Sequence, residues 1–239
     1  MDDVMRINLW SGPRNVSTAV MYAFRERTDT SVVDEPLYAY YLCRTGAEHP
    51  AVQDVIKSQD TDGSTVVENV LLGPSDTPVR FFKHMAHHLE GLDRAFLSQT
   101  NNLLLARDPR EMLPSLINQV PNPTIEGTSL PTQVRLLDSI LASGGDPIVI
   151  ESKRLLLDPE GVLRTACDRL GLDWDSDMLD WDQGPKPEDG VWAPHWYDNV
   201  NRSTGFAPYR AKDEAIPGHL KPLLAECIPL FERLREHAI

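Results

Sequence analysis

The chain has 239 residues, 41% hydrophobic and 25% charged. That is enough for one large or two small domains with a real core, and it excludes a disulfide-stapled miniprotein, a disordered chain and a collagen-like or coiled-coil fibre. The 36 Asp and Glu outnumber the 23 Lys and Arg to give a net charge of −13. Such a field repels polyanions, so no nucleic-acid polymer is expected as a partner, although a small anion can still enter a locally positive pocket.

The start, Met1 to Arg6, lacks the basic and apolar regions of a secretory signal, and no run approaches the ~18 apolar residues of a membrane span. A cytoplasmic location with no membrane association is the expectation. Cys43, Cys167 and Cys227 are widely spaced, without a CxxC pair, and read as small buried hydrophobes, not as ligands or disulfide partners.

In chain order, Arg6–Trp10 reads as a first strand, followed by a polar turn and a helix from Val16 to about Arg27. Ser31–Asp34 and Val79–Lys83 read as strands two and three, and Leu103–Ala106 and Pro147–Ile150 as two further strands, apolar enough to be buried on both faces. Helices are predicted from Pro109 to about Asn118, from Thr132 to Ala142, from Pro159 to a stop at Gly171, and from Leu220 to His237. Strands alternating with helices imply an α/β fold, a doubly wound, mainly parallel five-stranded sheet in one domain over 1–239. Residues 173–200 break the pattern and hold four of the five tryptophans. They form an irregular insert, either an acceptor-binding lid or a packed excursion whose aromatics fill the domain's own core.

Two segments carry chemistry. Ser11-Gly12-Pro13-Arg14-Asn15-Val16-Ser17-Thr18 lies between a strand and a helix, where backbone N–H groups, two hydroxyls and a guanidinium can cradle a phosphate. The alternative is a plain helix cap, and the second glycine and the lysine of a Walker A loop are absent. In Leu103–Ser115, Arg107 stands at a strand end and Ser115 eight residues later in the following helix. Strand carboxyl ends line the ligand crevice of such a sheet, so Arg107 and Arg14 are expected to converge there.

These residues resemble the sulfotransferases that use 3′-phosphoadenosine 5′-phosphosulfate (PAPS). The resemblance implies that Arg14, Asn15, Ser17 and Thr18 hold the 5′-phosphosulfate and that Arg107 and Ser115 hold the 3′-phosphate. It continues in Ser152–Glu160 with Leu170-Gly171-Leu172, and in Asn201-Arg202-Ser203-Thr204-Gly205-Phe206, which is similar to the family's basic, glycine-containing loop over the 3′-phosphate and brings Arg202 and Gly205 to the donor. Adenosine 3′,5′-bisphosphate would be the product. The sequence departs from the pattern at Arg14, where many members have Lys, at Val16, where glycine is common, and at Ser152, where many relatives carry an aromatic residue near the adenine.

For the base, Asp34-Glu35-Pro36 is similar to the Glu-Pro segment of branches that use a glutamate, and points to Glu35. A cap or an arginine partner is the alternative role. Phe81–His88 resembles the Lys-x-His segment of cytosolic relatives, which implies that Lys83 contacts the transferring group and makes His84 the competing base, one residue early. His84 and His88 at i, i+4 on a helix face lack a completing carboxylate or cysteine, so no metal is expected. His87 and His88 read as polar helix-face residues. Arg14, Lys83, Arg107, Arg110 and Arg202 are expected to converge in one crevice, with the acidic excess outside it.

The implied activity is sulfuryl transfer from PAPS to a hydroxyl or amine of a small-molecule acceptor; a homodimer is compatible with it. A cationic or amphipathic acceptor is suggested by tryptophans beside carboxylates in the insert. The rivals are a nucleotide-dependent kinase with the same phosphate cradle, and a non-catalytic module that binds a nucleotide or sulfated ligand.

Overall fold

The computed structural model describes residues 4–211 and 216–239; Met1–Asp3, part of the start read for a signal, lie outside the described residues. Five strands form one parallel sheet: β1 (Met5–Ser11), β2 (Thr30–Asp34), β3 (Val79–Met85), β4 (Asn101–Ala106) and β5 (Ile148–Glu151), in the order β2-β3-β1-β4-β5. Each strand agrees with its predicted position to within two residues. Between them run α1 (Ser17–Arg25), α2 (Tyr38–Thr45), α3 (Val52–Ser58), α4 (Gly63–Val66), α5 (Pro109–Leu116) and α6 (Leu130–Ala142). After β5 come α7 (Ser152–Leu157), α8 (Pro159–Leu170), the short α9 (Ala193–Trp196) and α10 (Asp198–Asn201), and α11 (Lys221–Arg235). The predicted stop at Gly171 is a left-handed cap with φ 73°, a conformation in which a Cβ would be strained.

Burial on both faces explains why the strands read as apolar runs. Ile7, Leu9, Phe81, Leu103 and Leu105 pack with α1 and α8, while Trp10, Phe82, Leu104 and Val149 pack with α6 and α11. Successive side chains alternate between these layers. That alternation decides the fate of two neighbours: Lys83 goes with Phe81 to the α1 side, and His84 goes with Phe82 to the other. His84 is therefore on a strand, not on a helix face with His88, and stacks on Trp10 with ring centroids 4.1 Å apart. The cysteine expectation needs one correction, since Cys167 and Cys227 are buried but Cys43, near the end of α2, is exposed.

The tryptophan-rich insert is attached to the body throughout. Trp181 lies in the core beside Tyr22 and Phe206, and Trp192 is buried with Tyr38 and Tyr197. Gly205 pairs with Asp180 in an antiparallel bridge, and a Cβ on it would meet Leu179 O at 2.8 Å. The glycine is required there by that approach.

Candidate active site

One cavity of about 560 Å³ opens at the carboxyl ends of β1, β2, β3 and β4. Parallel strands all end on the same side, so the loops after them share one rim. On one half of that rim, the turn after β1 passes so close to the 126–129 segment that a Cβ on Gly12 would sit 2.7 Å from Thr128 O. Arg14 follows with φ 53°, in the left-handed region that few non-glycine residues adopt. Its Nε donates to Ser115 Oγ at 3.0 Å, and Arg107 Nη1 donates to its carbonyl at 2.6 Å. Arg107 thus carries the Arg14 loop, while Ser115 orients the guanidinium.

The rest of this half is short of acceptors among the described residues. Helix α1 starts at Ser17 with no side-chain cap and no acidic residue in its first turn, and Ser17 and Thr18 line the cavity with Arg14. Arg107 Nε is buried without a partner among the described residues, and the nearest carboxylate oxygen to its guanidinium is Glu111 Oε2, 3.6 Å from Nη2. Burial pushes both guanidinium groups below their ordinary values, and Arg107 adds to the effect on Arg14. Two crowded guanidinium groups, the Ser17 and Thr18 side chains and a helix N-terminus therefore face one part of the cavity, a donor set of the kind that suits an anion. Asn15 lies in the same loop, but its side chain is committed: Nδ2 donates to Leu105 O at 2.8 Å, and Oδ1 accepts from Val16 N–H and Ser152 Oγ. Ser152 accordingly faces this strut and not the cavity.

The other half is built from the ends of β2 and β3. Asp34 lies opposite Lys83 in the sheet register, and the next residue, Glu35, has φ 39°. Its left-handed turn is held by Glu35 N–H donating to Lys83 O (2.8 Å) and Gln59 Nε2 donating to Glu35 O (3.0 Å). The turn swings Glu35 back over Lys83, whose Nζ donates to Glu35 Oε1 at 2.5 Å and Asp34 Oδ1 at 3.0 Å. Burial alone would lower the ammonium, but the two carboxylates outweigh it and hold Lys83 above its ordinary value. Glu35 is raised, by burial first and by Asp34, with Lys83 opposing.

Around this cluster stand Tyr38, Tyr41, His49, His87, His88, Trp192, Trp196 and Tyr197. His88 is stacked on both Tyr38 and Tyr41, and its Nδ1 lies 3.9 Å from Glu35 Oε2. His87 Nδ1 is hydrogen-bonded to Ser129 Oγ at 2.6 Å. Burial keeps His49, His87 and His88 neutral, lowering His87 to about 3. Neither His87 nor His88 is a surface helix residue: they occupy a 3-10 turn, Ala86–Leu89, that caps the cavity side of β3. Sequence reasoning missed them, together with His49, Tyr38, Tyr41 and Tyr197. The one available signal was the run of histidines directly after a strand end.

Several expected residues are elsewhere. His84 is fully buried in the sheet, where its Nε2 meets Asn8 Oδ1 at 3.0 Å, and burial drives it to about 3; it does not line the cavity. Arg202 is turned outward, paired with Asp198 at 2.5 Å and bonded to Asn199, because α10 places it one helical turn after that carboxylate. Its loop reaches the cavity through Ser203 and Gly205. Arg110 is likewise half-exposed and pairs with Asp108. The insert's carboxylates are not cavity walls either: Asp189 accepts from Tyr22 OH and Lys186 N–H, so the proposed carboxylate setting for a cationic acceptor is not formed.

The all-parallel sheet carries an arginine-bearing loop after its first strand and a charged cluster beside it. The sulfotransferase domain model matches residues 5–238, and the chain belongs to that family. It superposes on the sulfotransferase domain of the Synechococcus PCC 7002 olefin synthase with a TM-score of 0.56 at 17% identity, covering 98% of this chain and 95% of that one. A sulfotransferase from Alicyclobacillus acidocaldarius gives 0.54 at 14% identity, with 96% and 94% covered. An Arabidopsis thaliana relative called branched-chain-amino-acid aminotransferase-like protein 2 is 37% identical over 97% of this chain, and the chain spans 41% of that relative's length. Among the described residues no helix is long and apolar enough to cross a membrane.

Proposed function

We propose that this chain is a sulfotransferase that moves a sulfuryl group from PAPS to a hydroxyl or amine of a small-molecule acceptor. The observation that carries the reading is the division of one cavity into a half lined by Arg14 and Arg107 and a half holding the buried Lys83–Asp34–Glu35 cluster. The residues present fit an anionic nucleotide: Arg107 Nε is buried without a partner among the described residues, and Arg14, Ser17, Thr18 and Ser115 present charge-assisted and hydroxyl donors beside it. Arg14, Ser17 and Thr18 would hold the 5′-phosphosulfate, with Asn15 shaping their loop, and Arg107 and Ser115 the 3′-phosphate. PAPS supplies the transferable sulfuryl group.

The chain's own residues supply the rest. Glu35, with Oε2 turned away from Lys83, holds the proton that leaves the acceptor hydroxyl. Lys83 and Arg14 put fixed positive charge where negative charge develops on the departing phosphate. The tyrosine, histidine and tryptophan walls exclude water and contribute no net charge. The aminotransferase-like name of the Arabidopsis relative suits this cavity less well: among the described residues Lys83 is the one lysine that lines it, and two carboxylates hold it as an ammonium, whereas imine chemistry needs a free amine.

Thermal-shift titrations with adenosine 3′,5′-bisphosphate, PAPS, and ATP plus Mg²⁺ test the assignment. A specific binder at ~100 times its dissociation constant stabilises by ~2.7 kcal/mol. Stabilisation by the first two and not the third is expected; stabilisation by ATP plus Mg²⁺ alone would move the chain to the kinases.

A further inference from the structure

Asp34 and Glu35 are neighbours in sequence, yet they meet Lys83 in different company. The fully buried Asp34 carboxylate accepts from Lys83 Nζ, from Tyr197 OH at 2.7 Å to Oδ2, and from Gly190 N–H at 3.1 Å. Among the described residues the Glu35 carboxylate is hydrogen-bonded by Lys83 alone, on Oε1. Its second oxygen faces His88 Nδ1 across 3.9 Å, beyond hydrogen-bond reach. One ammonium therefore serves two carboxylates, and its charge neutralises neither completely.

Tyr197 and Gly190 both belong to the irregular insert. The Tyr197 hydroxyl touches Lys83 Nζ at 2.5 Å and accepts from Trp192 Nε1 at 3.1 Å. The insert is thus latched to the floor of the cavity at Asp34, through a phenol and a backbone amide, while Glu35 is left clear.

We propose that Asp34 and Tyr197 are positioning residues: they divide the charge of Lys83 between two carboxylates, so that Glu35 Oε2 can take the acceptor's proton, and they make this arrangement depend on a seated insert. The proposal rests on the reading of Glu35 as the base. With an amide at position 34, all of the ammonium charge would fall on Glu35 and make it a weaker base. With phenylalanine at position 197, the ring would still pack, but Asp34 would lose its hydroxyl donor and Trp192 its acceptor.

The groups facing Glu35 are Lys83 on β3, Asp34 on β2, Tyr38 on α2, His88 on the 3-10 turn and Tyr197 from the insert. Burial keeps both phenols and the imidazole uncharged. Asp34 and Lys83 are therefore the charges that tune Glu35.

Two measurements need no identified acceptor. In a ¹³C-carboxyl NMR titration, with Glu35 assigned by its loss in Glu35→Gln, its midpoint is expected to fall by about one pH unit or more in Asp34→Asn, where the cation is no longer shared. In amide hydrogen exchange, the peptide carrying Gly190 is expected to exchange on the order of tenfold faster in Tyr197→Phe, the equivalent of one lost charge-assisted hydrogen bond. An unchanged Glu35 midpoint in Asp34→Asn, or unchanged Gly190 exchange in Tyr197→Phe, overturns the proposal. Turnover of PAPS by Glu35→Gln at the parent rate would instead remove Glu35 as the base, and the positioning role with it.

Discussion

The two halves of the cavity lie at the ends of adjacent parallel strands and handle charge in opposite ways. On the β1–β4 side, Arg14 and Arg107 crowd each other, and one guanidinium nitrogen has no acceptor among the described residues. On the β2–β3 side, Lys83 is 1% exposed and satisfied by two carboxylates and a phenol. An unsatisfied cationic site stores affinity for an anion that arrives from solution. A satisfied one stores the geometry of a reaction and adds little to anion binding, because its cation already has carboxylate partners.

The largest effect should come from unbalancing the satisfied half. Lys83→Met leaves Asp34 and Glu35 buried without their cation, and chemical denaturation should show a loss of about 3–5 kcal/mol, the usual cost of removing one partner of a buried pair. Arg14→Ala tests the opposite half. It removes a half-buried cation that has no carboxylate partner among the described residues, so the melting temperature should hold while turnover of PAPS falls by on the order of 10²–10³, the loss typical of one charge-stabilising donor. A melting temperature that drops along with activity would erase the proposed contrast.

A smaller effect concerns pH. His84 is lowered to about 3 by burial, with Lys83 adding to the effect, so below about pH 6.5 the unfolded chain binds a proton that the folded chain refuses. The stability due to neutral His84 is complete above that pH and is lost as pH falls toward 3, at up to ~1.4 kcal/mol per pH unit. Denaturation series should show a shallower acid slope in His84→Gln, which keeps a donor for Asn8; an unchanged slope would assign the acid sensitivity elsewhere. Smallest of all is Arg202→Ala. An exposed ion pair with Asp198 contributes within about 0.5 kcal/mol, and the affinity for adenosine 3′,5′-bisphosphate in calorimetry should not change. A tenfold loss would return Arg202 to the donor site.

The strands were legible in the sequence because burial on both faces demands continuous apolar runs. That Arg14, Ser17, Thr18, Arg107 and Ser115 line one cavity was legible because they stand at fixed offsets from the carboxyl ends of parallel strands. His84 was misplaced by counting along the chain without applying the two-residue period of a strand, which sends it to the face opposite Lys83. Arg202 and Arg110 were misplaced because composition does not reveal that a carboxylate one turn or two residues away already holds each of them.

Sequence alone was sufficient for the α/β class, the resemblance to sulfotransferases and the placing of the Arg14 loop at the mouth of the sheet, since each depends on local pattern. Tertiary structure decided the rest. Only the register of β2 on β3 sets Asp34 against Lys83, only the left-handed turn at Glu35 brings a second carboxylate over the same ammonium, and only the folding back of the insert delivers Tyr197 from 114 positions away in sequence. The net charge of −13 describes the whole chain. How Lys83, Asp34 and Glu35 divide charge inside it is a matter of distance and burial, and these exist only once distant segments have met.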